Sequence, residues 1–344
     1  MVRMTDIVII KGQRAISQNS VTALAALLLA AACIAALAIG PRQLNPATIV
    51  QALVSFDPQV FDHQALWAFR MPRLCAALIV GAALALSGAV LQIVVSNPLA
   101  EPQILGLNAG AALAVAASIT FLPPGLASML SRPLIAAVGG ALAFAAVLAL
   151  SSVGRGGPTP LKLTLCGIIV SAFASSLTSA ILLLDEQALD DLRVWLSGDL
   201  AGQSAGPLWS ALPIFLAGVG LAFGLAPKLS ALALGDAVAK GLGVDIIRTR
   251  LATLLAVALL CGSAVAIAGP IGFLGLIVPH LVRRFSGNHL RRILLNCMLV
   301  GPIVLILADM AARTIIAPEE IATGIVTGGI GATIFVIIVA RYFR

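Results

Sequence analysis

The chain is 344 residues long, 60% hydrophobic and only 10% charged, with a mean hydropathy of +1.09. A soluble domain carries about 25% charged residues and a membrane span needs about 20 largely apolar ones, so soluble folds are excluded and an all-α polytopic membrane protein is predicted. The net charge of +7 does not point to nucleic acid, because the basic residues sit in the polar intervals between apolar runs, a membrane-topology pattern.

In chain order, residues 1–20 are polar, with Arg3, Lys11 and Arg14, and an apolar run at 21–40 follows. That run exceeds the 7–15-residue core of a signal peptide and is read as the first span. Residues 41–72 read as a polar outer segment carrying Trp67 and Arg70, with Arg73 just beyond it. Further spans are predicted at 74–95, 104–122, 133–153 and 163–184, then an acidic outer segment at 185–206 and a span at 207–226. Residues 229–250 form a polar interval, and spans at 249–268, 271–285, 293–312 and 321–342 complete about ten transmembrane helices.

With Met1 on the inside, fifteen of the 21 Lys and Arg residues fall on inner segments and six on outer ones, as the positive-inside rule requires. Both termini and the 229–250 interval are then cytoplasmic. No low-complexity stretch or long linker divides the chain, so residues 1–344 read as a single membrane domain. The five cysteines (Cys33, Cys75, Cys166, Cys261, Cys297) lie in apolar runs without paired spacing. They read as small buried hydrophobes; neither a disulfide framework nor a metal site is indicated.

Within the 229–250 interval, Gly235-Asp236 predicts the start of a short helix, with the Asp236 carboxylate as N-cap. Gly241 and Gly243 stop it after about two turns, and Asp245 caps the next helix. Lys228, Lys240, Arg248 and Arg250 surround this segment. Two readings stand: an ordinary cytoplasmic loop, or a docking helix through which another protein moves the spans.

The sequence has no GxxxxGK[ST] loop, no HExxH and no GxSxG. Trp195-Leu196-Ser197-Gly198 resembles a transport-ATPase signature only by coincidence, since it lies in the acidic outer segment. His280, following Pro279, is expected to be packed or capping. Asp309 lies at or near membrane depth, where a charge is costly; Arg313, one turn later, is the expected partner. The Pro/Gly-rich stretches 96–102 and 269–280 break helices, and the freed backbone groups must be satisfied by protein or a wet cavity. Transporters use such breaks; channels and packing devices are the alternatives. In the fifth span Thr164, Ser171, Ser175 and Thr178 fall within about 60° of one another on a helical wheel. They suit either a wet pathway or helix packing. Arg70, Arg73 and Arg313 fall on the outer side among carboxylates, suiting either local salt bridges or an acidic partner.

RMPRLCAALIVGAALALSGAVLQ, NPLAEPQILGLNAG, ALGDAVAKGLGV, AGPIGFLGLIVPHLVRR and LADMAAR together resemble the FecCD permease family, the membrane subunits of type II ABC importers for iron–siderophore, haem and cobalamin. The resemblance runs in the family's order from about Arg70 onward. It implies the type II ABC importer permease fold in the bacterial inner membrane, with no catalytic, cofactor-binding or metal-binding residue in this chain. It also implies a second permease subunit (the same chain or a paralogue), two ABC ATPase subunits that use ATP, and a periplasmic substrate-binding protein. On this resemblance Gly235, Asp236, Val238, Ala239, Gly241, Leu242 and Gly243 form the ATPase-coupling segment, and Arg70, Arg73 and Arg313 receive glutamates of the binding protein. Iron–siderophore is the first choice of substrate; haem, cobalamin and an ATP-independent channel or carrier are the alternatives. One departure is Glu319-Glu320-Ile321-Ala322-Thr323-Gly324, where members usually read Glu-Leu-Pro-Val-Gly; the missing proline is expected to alter the start of the last helix.

Overall fold

The structure, a computed structural model, describes residues 18–40, 43–123, 132–154, 159–185, 189, 192–193, 195–203, 205–287 and 289–342. Most of the N-terminal segment, with Arg3, Lys11 and Arg14, lies outside the described residues, as do Glu186, Asp190 and Asp191 of the acidic outer segment. Among the described residues every regular element is helical.

Helix α1 (Gln18–Ala38) is the first span. Helices α2 (Pro46–Val54) and α3 (Phe61–Ala65) follow, and a π-turn (Leu66–Arg70) joins α3 to α4 (Met71–Val94). After a 3-10 turn (Pro102–Leu105) come α5 (Leu107–Phe121), α6 (Arg132–Ser152), α7 (Pro160–Leu184) and α8 (Ala205–Leu232). The short α9 (Asp236–Gly241) precedes α10 (Ile246–Ala268), α11 (Leu274–Ser286), α12 (Leu290–Thr314) and α13 (Thr323–Tyr342). Each of the ten predicted spans coincides with one of these helices. Among the described residues seven helical stretches are long and apolar enough to cross a membrane, and α5 and the apolar part of α13 are shorter.

The predicted outer segment 41–72 differs from expectation, because it is largely helical. Asn45 caps α2 by accepting the Ala47 N–H at 3.3 Å, and Pro46 occupies the first helical position, where its missing N–H costs nothing. Ile49, Ala52 and Leu66 are buried together with Leu37 and Leu44, so this segment folds back as a cap on α1. The helical run of residues 61–94 passes through the π-turn, so Arg70 and Arg73 lie within a helix rather than ahead of one.

Helix α4 is the centre of the bundle, packing on α8, α10, α11 and α12. Its small residues permit backbone-to-backbone approach. A Cβ on Gly88 would lie 1.9 Å from the Gly275 carbonyl oxygen, and one on Gly81 would lie 2.7 Å from the Pro302 backbone. Gly110 of α5 and Gly139 of α6 approach one another in the same way. Buried hydroxyls, such as Ser87 to Leu84 O (2.8 Å) and Thr253 to Thr249 O (2.7 Å), bond to their own helix. All five cysteines are free thiols; Cys261 and Cys297 are buried and Cys33 and Cys166 half-buried, but Cys75, expected to be buried, is exposed. It stands on the face of α4 opposite the buried Ala76–Ala77 pair.

The ends of the bundle can be told apart. The Asp199 N–H donates to Ala268 O at the end of α10, and Asp199 also meets Thr323 at the start of α13. Thr323 reaches Asp309, which reaches Arg73 at the start of α4. Helix α12 rises about 37 Å at 1.5 Å per residue, which puts its Leu290 end at the opposite end, with α9.

Candidate functional site

At the first of these ends three helices bring a charge cluster together. Asp309 of α12 is buried, and Arg73 of α4 donates to its Oδ1 from Nε at 3.0 Å, with Nη2 in ion-pair contact 2.9 Å from the same oxygen. Arg313 approaches Oδ2 with Nη2 at 3.1 Å, so the expected pair one turn apart is present. Arg73 also bonds Glu320 through Nη1 at 2.7 Å. Thr323 Oγ1 lies 3.0 Å from Asp309 Oδ1 and 3.1 Å from Asp199 Oδ1. Arg70 is turned differently: its Nη1 donates to the carbonyl oxygens of Leu37 and Ala38, the latter at 3.1 Å. It thus satisfies carbonyls left open where α1 ends, and Arg313 reaches Ala36 O at 3.4 Å. A cavity of about 10 Å³ lined by Arg70, Arg73, Asp309 and Arg313 lies among them, room for about one water. All three predicted arginines therefore converge at one end, with Arg73 and Arg313 already holding carboxylates of this chain.

The opposite end carries α9. Its N-cap is Gly235, at φ 102°, without a side-chain cap, which corrects the expectation that Asp236 caps the helix. Asp236 is instead the first helical residue, and both its oxygens accept from Arg250 Nη2, at 2.9 and 3.0 Å. Arg250 is buried in α10, so the pair fixes the short helix to a long one. Gly243, at φ 77°, ends it: Val244 N–H donates to Ala239 O and Gly243 N–H to Lys240 O, both at 3.0 Å, the paired bonds of a Schellman motif. Gly241 remains helical and is not the stop. Asp245 caps α10 as expected, accepting from Arg248 N–H at 3.0 Å. Ala239 is fully buried, while Val238 (47% exposed), Leu242 (64%) and Leu234 (66%) point outward.

The serine–threonine stripe on α7 divides. Thr178 is buried and bonds Ala174 O at 2.9 Å. Ser171 is half-buried, packed towards Gly106, and Thr164 is half-buried, but Ser175 is exposed. Neighbouring Ile168, Ile169 and Phe173 are exposed too. His280, expected to be packed or capping, is exposed, although Pro279 before it and Val282 after it are buried.

The two helix breaks meet each other. Glu101 accepts from the Phe273 N–H; burial pushes its carboxyl above the usual range and the hydrogen bond partly offsets this. Phe273 is non-glycine at φ 68° and caps α11, a rare conformation that this bond helps to hold. Gln92 Nε2 donates to Gly275 O at 3.1 Å. The freed backbone at residues 269–275 is thus satisfied in part by protein side chains.

The profile of the FecCD transport family matches residues 27–341. The chain belongs to this family. It is similar to the Fe(3+)-citrate import system permease protein YfmD of Bacillus subtilis (strain 168), 42% identical over 94% of this chain and 95% of that one. It is also similar to the ferric enterobactin transport system permease protein FepD of Escherichia coli (strain K12), 37% identical over 92% and 94%. A solved inward-facing conformation of a metal-chelate type ABC transporter superposes with a TM-score of 0.81, at 30% identity, covering 94% of this chain and all of that one. FecCD proteins are transporter permease subunits, and this one is a multi-pass membrane protein.

Within the FecCD pattern the departure at residues 319–324 has a structural result. Thr323 stands at the position where valine is usual, and its hydroxyl lies between Asp309 and Asp199, with one proton to donate to either. Helix α13 starts at Thr323, with Gly324 N–H donating to Gly198 O at 2.7 Å. Sequence reasoning set the three arginines among outer carboxylates, with local salt bridges as one reading, without singling out Asp199 and Glu320; it missed Thr323 as a member of the cluster and Glu101 as the tie between the breaks. Glu101 had a signal, being the only carboxylate in an otherwise uncharged turn; Thr323 had none.

Proposed function

We propose that the chain acts as one permease domain of an ATP-driven importer of iron–siderophore complexes, with both termini cytoplasmic in a bacterial inner membrane. ATP is used by two partner ATPase subunits, no cofactor binds this chain, and a second permease, the same chain or a paralogue, completes the pathway. The observation that carries this is α9: a helix with exposed apolar Val238 and Leu242, braced on α10 by Asp236 and Arg250. A brace of this kind lets force applied to a short helix move a long one. The iron-chelate substrate is supported by the names of the relatives. The test is copurification of ATPase subunits and ATP-dependent uptake of a ferric siderophore into vesicles; uptake without ATP identifies a channel or carrier instead.

Arg70 and Arg73 are proposed to receive carboxylates of the binding protein, which arginine's planar fork orients. Arg70→Glu is expected to weaken docking at least about tenfold at low salt, where screening is least; Arg73→Glu should weaken it too, but is read only if Tm is kept, because it also sets a carboxylate against Asp309 and Glu320. A matching Glu→Arg on the binding protein should restore part of it. Unchanged docking with both reversals makes these arginines structural. Arg313, more deeply buried, is the less clean site for this experiment.

Thr164, Ser171, Ser175 and Thr178 are proposed to edge the pathway, with Ser175 the accessible member. In a cysteine-free background, Ser175→Cys should react with a water-soluble thiol reagent several-fold faster than Ile168→Cys, although both side chains are exposed. Equal rates place both in lipid and remove the stripe from the pathway.

A further inference from the structure

From Ile246 to Ala308 the chain contains no Asp or Glu. The arginines at the start of this stretch borrow partners from before it: Arg248 pairs with Asp245 and Arg250 with Asp236. Four more arginines, Arg283, Arg284, Arg291 and Arg292, crowd the turn between α11 and α12. Among the described residues none of the four has a carboxylate partner. Arg284, Arg291 and Arg292 are exposed and Arg283 is half-buried. Cations held this close repel one another unless an anion is supplied from outside.

The surroundings identify the anion's carrier. Leu281 (42% exposed), Phe285 (57%) and Leu295 (43%) stand out from the same two helices beside the arginines. The surface therefore alternates long cations with apolar side chains, the arrangement that lies at a headgroup–acyl boundary. Guanidinium groups grip phosphate through parallel hydrogen bonds. At the same end of the bundle α9 is less basic: it exposes Val238, carries Lys240 as its one cation, and pairs Asp236 with Arg250 of α10. One surface suits a protein contact, the other an anionic bilayer surface.

We propose that the α11–α12 turn is a binding surface for the headgroups of anionic phospholipids, with Phe285 and Leu281 entering the acyl boundary and Arg284, Arg291 and Arg292 on the phosphates. It anchors the permease beside the coupling helix, so that force on α9 moves helices against a fixed edge. The test does not depend on transport. The full chain, purified in detergent, is mixed with equal mole fractions of phosphatidylglycerol and phosphatidylcholine, and retained lipid is counted by native mass spectrometry. Phosphatidylglycerol should be retained at least about tenfold over phosphatidylcholine. Retention should fall about fivefold for each arginine removed in Arg291→Gln and Arg292→Gln, and survive Arg291→Lys with Arg292→Lys. Phe285→Ser should weaken phosphatidylglycerol binding as well. Equal retention of the two lipids, or no loss in the glutamine variants, overturns the proposal. So does inorganic phosphate that displaces the lipid at equal concentration, which would mark a free-anion site. Glutamine variants that keep the lipid but lose ATPase subunits would make the turn a protein contact instead.

Discussion

Asp309→Asn is expected to lower the stability of this permease by about 3–5 kcal/mol, because it leaves buried guanidinium groups without their shared counter-ion. Asp309 binds Arg73 through one oxygen and Arg313 through the other, with its side chain 4% exposed. The desolvation of both arginines is offset mainly by that one carboxylate, since Glu320 touches only Arg73. Glu320→Gln is the control: its side chain is 28% exposed, and such a rim pair contributes about 0–1 kcal/mol. Apparent Tm in detergent, with denaturant titration, measures both. Asp309→Asn should fall far below the wild type and Glu320→Gln stay near it. Equal losses would show that the cluster is wetter than its geometry implies. Thr323→Val, which restores the usual family residue, removes the hydroxyl between Asp309 and Asp199; it should cost about 0.5–1.5 kcal/mol, the net value of a typical hydrogen bond.

Val238→Asp is expected to abolish uptake while leaving the permease folded. Val238 is 47% exposed, so a carboxylate there stays solvated in the isolated chain and Tm should hardly move. In the proposed contact with an ATPase the same carboxylate is desolvated without a partner, at a cost of several kcal/mol. ATPase subunits should be lost on purification, and docking of the binding protein at the other end should persist. Arg250→Ala separates contact from force transmission. It removes the brace on Asp236 but leaves Val238 and Leu242 in place, so ATPase binding should weaken less than uptake. Normal uptake by Val238→Asp puts the coupling contact elsewhere on the chain.

Much of the fold was legible because lipid forces each span to satisfy its backbone locally. Apolar runs therefore read directly as helices: each of the ten predicted runs falls on a helix, seven of them long and apolar enough to cross a membrane among the described residues. Local signals were equally readable where the partner is a few residues away: Asp245 capping α10, Gly243 ending α9, and Arg313 pairing with Asp309. The helical cap at residues 46–70 was missed because its polar composition hides a buried face of Ile49, Ala52 and Leu66 that exists only against α1. Asp236 was misread as a cap because its real partner, Arg250, lies 14 residues on.

By itself, then, the sequence determined a polytopic helical permease, its approximate spans and the segments that bear charge. Tertiary structure alone decided which charges meet. Arg73 is bound by an aspartate 236 residues away, and Glu101 by a backbone N–H 172 residues away. Those meetings depend on α4 seating against α11 and α12 through Gly88, Gly275, Gly81 and Gly301. Spans are specified by local hydrogen bonding and apolar length, whereas partners are specified by which small residues let two distant helices touch.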